Sequence, residues 1–184
     1  MFNARIAEST RGLWITDNGP GWYEEIRDGQ RTRWSGKQDN QAGRPPTVTG
    51  TDPKVIEAQL STRHPDWRGA NWITFIEETW TRQTVTPAVQ AALLRVLSNA
   101  PDLTIEGTVT DRAGRTGVAV SAIETHDGVA THRRIPILNP TTGAVLDAEK
   151  IALEKLGKPI NVPATVGYTL WITTGYVAVP LERP

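Results

Sequence analysis

Cysteine is absent from this sequence, and methionine occurs once, at position 1. The lack of cysteine excludes disulfides, thiolate metal sites and a cysteine nucleophile. No run of about 18 apolar residues occurs, so no transmembrane helix is predicted, and the opening MFNARIAEST lacks the apolar stretch of a signal peptide. Basic and acidic residues number 20 each. The chain therefore lacks the excess basic charge typical of nucleic-acid-binding proteins, and we expect no nucleic-acid partner.

The chain of 184 residues is long enough for one domain with a substantial core. We expect a single domain over residues 1–184. Its composition changes along the chain and defines four regions. They are an N-terminal hairpin region (1–35), a loop (36–50), a helical region (51–100) and a β-meander (101–184).

The hairpin region is marked by the dipeptide Asp28-Gly29, a strong signal for a two-residue β-turn. Strands are predicted on either side, over 22–27 and 30–34, and a shorter one at 13–15. The loop that follows, 35–50, is polar and rich in glycine and proline, with no apolar period. We expect it to be the most mobile internal segment and the first site of limited proteolysis.

Three helices are predicted in succession. Thr51 or Asp52 can cap a first helix that begins at Pro53, and apolar spacing indicates a second over 71–82. Thr86 can cap the third helix, which begins at Pro87 and presents one apolar face. We expect the following residues to be largely buried: Trp72, Ile76, Leu93, Val96, Leu97, Val118 and Val120.

Strands recur every 8 to 12 residues after Leu103, which is typical of an antiparallel meander. Turn residues lie at 111–114, and Pro136 favours a sheet edge or a bulge within its strand. The final strands are predicted at 165–174 and 176–181. The fold class is therefore α+β: a curved antiparallel sheet, a half-barrel meander, with about three helices inserted mid-chain and packed on one face.

Seven tryptophans against two phenylalanines are an unusual aromatic content. Tryptophans at helical spacing favour core packing, but some could line an apolar groove between helices and sheet, where small ligands bind preferentially. The candidates for such a ligand cleft are Trp14, Trp22, Trp72, Phe75 and Trp80.

Catalytic motifs are missing: the sequence has neither the nucleophile elbow GxSxG nor the zinc motif HExxH. The glycines at 107, 114 and 117 lie within a predicted hairpin, which is the wrong context for a phosphate loop. We therefore predict no catalytic residue, no metal site and no cofactor. A metal-dependent hydrolase remains an alternative, with ligands drawn from His126, His132 and either Asp127 or Asp111.

Three segments carry a resemblance to a known family: TDPKVIEAQL, TPAVQAALLRVLSNAPDLTIEGTVTDRAGRTGVAV and ILNPTTGAVLDAE. They resemble an uncharacterised family of actinobacterial membrane-anchored proteins. The extracytoplasmic C-terminal domain of that family is similar to the half-barrel of lipoprotein carriers and sigma-factor regulators (the LolA/RseB type). The resemblance implies the extracytoplasmic face of the cell membrane and supplies no catalytic residues.

The family's membrane helix and first long strand do not precede the segment LWITDNG in this sequence. We expect an open sheet edge near the N-terminal hairpin, and with it a homodimer or capture of a partner strand. The resemblance implies a non-catalytic binding or sensing domain, with a hydrophobic cleft for a lipid, lipopeptide or protein segment. A structural or protein-interaction module without a small ligand is the further alternative.

Overall fold

A computed structural model describes residues 8–14, 21–36, 48, 50–61, 66–126, 129–155, 160–179 and 181–184. The fold is α+β, with antiparallel strands and three helices inserted mid-chain, as predicted. The strands form two sheets, and neither closes into a barrel. Most of the loop predicted to be mobile lies outside the described residues.

The first sheet is a three-stranded ribbon near the N-terminus. Its strands are β1 (Ser9–Trp14), β2 (Gly21–Arg27) and β3 (Gln30–Gly36), in the order β1-β2-β3. Asp28 and Gly29 connect β2 to β3 with φ angles of 50° and 77°. Both residues thus adopt the left-handed conformation that a tight type I′ hairpin requires, which confirms the predicted turn.

The three helices begin near the predicted caps. They are α1 (Pro53–Ser61), α2 (Gly69–Arg82) and α3 (Pro87–Ser98). The Asp52 side chain accepts a hydrogen bond from the Lys54 backbone N–H at 2.9 Å, and the Thr86 hydroxyl accepts one from Val89 at 3.5 Å. These side chains satisfy backbone donors that a helix N-terminus otherwise leaves unpaired.

The second sheet is a five-stranded antiparallel meander in chain order. Its strands are β4 (Thr104–Thr110), β5 (Thr116–His126), β6 (Val129–Leu138), β7 (Val145–Ala152) and β8 (Ala164–Leu170). Each of its pairings contains a register shift. Proline is tolerated in a sheet at an edge or at a bulge. Pro136 lies in a central strand beside one of these register shifts, so its position is explained by the bulge and not by an edge.

The core lies between the helices and one face of this second sheet. Ile73 and Leu93 are fully buried there, and Val96 is 1% exposed. Side chains from β5 and β7 complete the cluster, among them Val120 and Val145. The burial predicted for the helix residues and for Val120 is confirmed. Val118 on β5, which was also predicted to be buried, is half-buried.

The prediction of a final strand at 176–181 is wrong for its described residues. The described residues after β8 form no strand, and Tyr176 is 81% exposed. The C-terminal tail instead reaches the first sheet, where the backbone oxygen of Glu182 accepts a hydrogen bond from the Trp14 indole at 2.7 Å. No helix in the described part of the chain is long and apolar enough to cross a membrane.

Candidate functional site: the open edge of the three-stranded sheet

Strand β3 is a regular edge strand. It pairs with β2 at seven consecutive positions without a register shift, and no other described strand pairs with its far side. Each residue from Gln30 to Ser35 is exposed to solvent. The edge strand β4 differs, because a register shift between Ile105 and Gly107 interrupts its pairing. Bulges of this kind blunt an edge against further pairing, so β3 is a better template for an added strand than β4.

One face of the first sheet carries an apolar row. Leu13, Tyr23 and Trp34 occupy the same register position on β1, β2 and β3. The rings of Tyr23 and Trp34 stack with centroids 4.1 Å apart. Trp34 nevertheless remains 47% exposed and Leu13 43% exposed. The row therefore ends at the open edge with a large, rigid aromatic side chain, a residue type enriched at protein interfaces.

A polar hollow lies beside this row on the same part of the sheet. It has a volume of about 290 Å³ and is lined by acidic, basic and neutral polar side chains. The lining residues are Glu25, Arg27, Asp28, Gln30 and Thr32. The hollow is open to solvent at the hairpin end, so a chain lying along β3 would pass over polar side chains beyond Trp34.

The opposite face of the sheet carries an arginine cluster around one carboxylate. Arg33 contacts Glu24 at 2.5 Å, and Arg31 approaches the same oxygen at 3.6 Å. Arg183 of the C-terminal tail lies 3.6 Å from the other oxygen. The hydrogen bond from Arg33 lowers the pKa of Glu24, so that carboxylate carries its charge at neutral pH. Three guanidinium groups against one carboxylate leave a formal excess of two positive charges at the edge.

The predicted cleft residues fall into two separate places. Trp72, Phe75 and Trp80 are 6%, 4% and 6% exposed and belong to the core under α2. Trp72 packs edge-on against Trp67, with ring centroids 4.8 Å apart. Trp14 and Trp22 are half-buried neighbours in the first sheet instead. The five residues therefore do not line one surface.

A polar cluster lies between α2 and the second sheet. Arg134 on β6 contacts Glu77 on α2 at 3.0 Å and Glu124 on β5 at 3.2 Å. Lys150 on β7 contacts Glu124 at 2.9 Å. Burial raises the pKa of Glu77 to about 7, against the effect of Arg134. Burial also acts on Glu124, but hydrogen bonds from Lys150 and Arg134 hold its pKa at about 2. Each charged side chain of the cluster is thus paired with an opposite charge, which indicates a structural role for the cluster.

Asp147 on β7 is a fully buried acidic residue, with 0% exposure. Neither carboxylate oxygen makes a well-formed hydrogen bond within the described residues. Burial raises its pKa to about 6, although the backbone N–H of Arg112 opposes that rise. A buried carboxylate of this kind destabilises the fold when it ionises, because its charge is not fully compensated.

The described residues contain no group of three or more potential ligands arranged to hold a metal ion. Asp111 instead accepts hydrogen bonds from the backbone N–H groups of Ala113 and Arg115 and pairs with the Arg115 side chain at 2.6 Å. His132 lies on β6, while Asp127 and the His126 side chain lie outside the described residues. The hydrolase alternative therefore stays a prediction without a described ligand set.

No protein-family model matches this sequence, and neither a curated protein nor a solved structure is significantly similar to it. The resemblance to the actinobacterial family and to its half-barrel domain thus remains a prediction. The class that the structure itself defines is an α+β domain with an open, regular sheet edge.

Sequence reasoning did not select Trp34, Arg31 or Arg33 as site residues. The signal was present, since Gln30–Ser35 alternates basic side chains with Thr32 and Trp34 directly after a hairpin turn. The sequence predicted an open edge near this hairpin. It did not indicate which strand forms that edge, and the strand order of the sheet places β3 there with no other described strand on its far side.

Proposed function

We propose that this chain is a non-catalytic binding or sensing domain that captures a protein segment in extended conformation along β3. The observation that carries the proposal is the exposure of this regular edge strand from Gln30 to Ser35. An exposed edge offers unpaired backbone N–H and C=O groups, and an added strand satisfies both sets of groups at once. By its resemblance to the membrane-anchored family, we place the domain on the extracytoplasmic side of the membrane.

Among the ligands predicted from the sequence, a protein segment fits better than an acyl chain. The aromatic candidates of the helix–sheet interface are buried against one another and against aliphatic neighbours such as Ile73 and Ile76. A lipid at that place would first have to displace well-packed side chains, which costs the packing and transfer free energy of each one. An added strand at β3 displaces no described strand and no buried side chain of the described part of the chain.

Trp34 provides the anchor for such a segment. Edge hydrogen bonds give affinity that is independent of sequence, whereas a large aromatic side chain at the edge gives a contact that depends on the partner's side chain. The partner should therefore place an apolar residue next to the indole. The adjacent hollow around Gln30 and Thr32 then accepts polar positions of the same segment.

The proposal is tested by selecting, from a library of random ten-residue peptides, those that bind the purified chain. We expect Trp34→Ala to weaken the selected peptides by roughly tenfold, since interface tryptophans often contribute more than 1 kcal/mol. Ile105→Ala is the matched control, because Ile105 is an exposed apolar residue, at 74%, on the interrupted edge β4. Peptides that bind both variants and the parent chain equally would show that β3 is not the binding edge.

The alternative of a metal-dependent hydrolase makes a different prediction. Purified protein should then contain stoichiometric zinc or manganese, and chelation should release it. A metal content far below one equivalent, together with peptide binding that depends on Trp34, would leave the binding domain as the account of this chain.

A further inference from the structure

We infer that the segment captured at β3 is acidic, with carboxylates at alternating positions. This inference rests on the proposed function and specifies the partner of the same edge. It follows from the arrangement of Arg31, Arg33 and Arg183 around a single buried carboxylate, that of Glu24.

The spacing of the two strand arginines sets the spacing of the partner's carboxylates. Arg31 and Arg33 are two residues apart on one strand, so their side chains share a face of the sheet, roughly 7 Å apart along the strand. A strand added beside β3 presents its own side chains on that face at the same interval. Glutamate or aspartate at alternating positions would therefore lie directly across from the two guanidinium groups.

The charge balance at this edge favours an anionic partner. Glu24 is 5% exposed and faces three guanidinium groups, whose arginine side chains are 45%, 55% and 64% exposed. The exposed part of each arginine remains accessible, and two incoming carboxylates would neutralise the excess charge of two. Because Arg31 and Arg33 lie on the edge strand rather than in the core, their charge also steers an acidic partner during association.

A second copy of this chain fits the edge less well. Antiparallel pairing of β3 with β3 of another copy, in the register centred on Thr32, would place Arg31 and Arg33 across from the same two arginines. The register centred on Arg33, which pairs the whole strand most evenly, would place Arg33 across from its own counterpart. Like charges directly opposite one another destabilise a strand pair. The glutamate that would relieve this repulsion lies on the central strand β2 and is already engaged.

Three synthetic peptides separate charge pattern from composition: TEVEVEVT, its lysine counterpart TKVKVKVT, and TEEVVEVT. The third has the composition of the first but no two glutamates two residues apart. Binding is measured by backbone amide chemical shifts of the full chain at two salt concentrations. We expect TEVEVEVT to bind at least roughly tenfold more tightly than the other two, and its affinity to fall with added salt.

Two variants locate the effect. Arg31→Glu should weaken TEVEVEVT by roughly tenfold and improve the binding of TKVKVKVT. Arg11→Glu is the matched control, because it makes the same charge change at 60% side-chain exposure on β1, the opposite edge of the same sheet. Arg31→Gln, which keeps a polar side chain without the charge, serves the same test if charge reversal prevents folding.

The outcomes distinguish this inference from the proposed function. Equal binding of the acidic and basic peptides at β3 would overturn the acidic partner and leave strand capture standing. If none of the three peptides binds, and if the random selection yields no peptide whose binding depends on Trp34, both the acidic partner and strand capture at β3 are overturned. A dimer seen by light scattering that Trp34→Ala dissociates would assign the edge to a second copy of the chain and contradict the inference.

Discussion

Glu77 and Glu124 share one arginine but respond to pH in opposite ways. Burial raises the pKa of Glu77 to about 7, so the folded state favours its protonated form. Glu124, with its pKa held at about 2, is favoured in its ionised form. The difference arises because Lys150 adds a second cation at Glu124, whereas Glu77 has Arg134 as its cation and feels the repulsion of Glu124 and Glu78.

The pH dependence of stability follows from these directions. The contribution of Glu77 is fully present below its ordinary pKa of 4.5 and is lost as the pH rises through about 7. The contribution of Asp147 is likewise fully present below its ordinary pKa of 3.8 and is lost as the pH rises through about 6. The contribution of Glu124 is present above 4.5 and is lost as the pH falls towards 2. From these three groups we therefore expect the free energy of unfolding to be highest between about pH 4 and pH 4.5.

Glu77→Gln should remove part of this pH dependence. At about 1.4 kcal/mol per pKa unit, the change from 4.5 to about 7 corresponds to roughly 3 kcal/mol at most. Urea unfolding of both proteins at pH 5 and pH 8 measures it. Glu78→Gln is the control, since Glu78 is the exposed neighbour on the same helix. An unchanged pH profile in Glu77→Gln would show that this carboxyl does not titrate in the predicted range.

The helix α3 shows how one apolar face joins helices to sheet. Leu93 is fully buried within the core cluster, while the adjacent Leu94 is half-buried at its margin. Leu93→Ala should lower the free energy of unfolding by about 2–5 kcal/mol, because the surrounding side chains cannot fully close the cavity. Leu94→Ala should cost less. A loss below about half a kcal/mol for Leu93→Ala would contradict the position of this face in the core.

The elements that the sequence predicts well are those with local signals. Pro53, Pro87 and the dipeptide Asp28-Gly29 mark boundaries through backbone geometry that depends on few neighbours, and each boundary is confirmed. The ion pair of Glu77 and Arg134 joins residues 57 positions apart, so no local pattern reveals it. The strand predicted at 176–181 failed for a related reason, since β propensity alone does not supply a partner edge.

The tryptophans illustrate the same limit for the candidate site. Helical spacing correctly places Trp72 and Trp80 on a buried face. It offers no information on Trp34, whose exposure depends on which strands pair with β3. Sheet order is a property of the whole fold, so the sequence predicted an open edge near the hairpin but not that β3 and Trp34 form it.

The whole molecule combines two sheets with different roles. The five-stranded meander packs against the helices and holds the core. The three-stranded sheet contacts the rest through the C-terminal tail and β8, where the Tyr168 hydroxyl donates a hydrogen bond to Glu8. The core thus positions a small sheet whose outer edge stays open, which is the arrangement that strand capture needs.

Hydrogen–deuterium exchange of the full chain with and without TEVEVEVT tests strand capture most directly. Added strands slow the exchange of the edge amides that they pair with, so the account predicts protection concentrated in Gln30–Gly36, and less of it in Arg31→Glu. The helix–sheet interface around Trp72 should exchange at the same rate in both samples. Protection at α2 and β5 with none at β3 would instead place the ligand between helices and sheet and contradict the account.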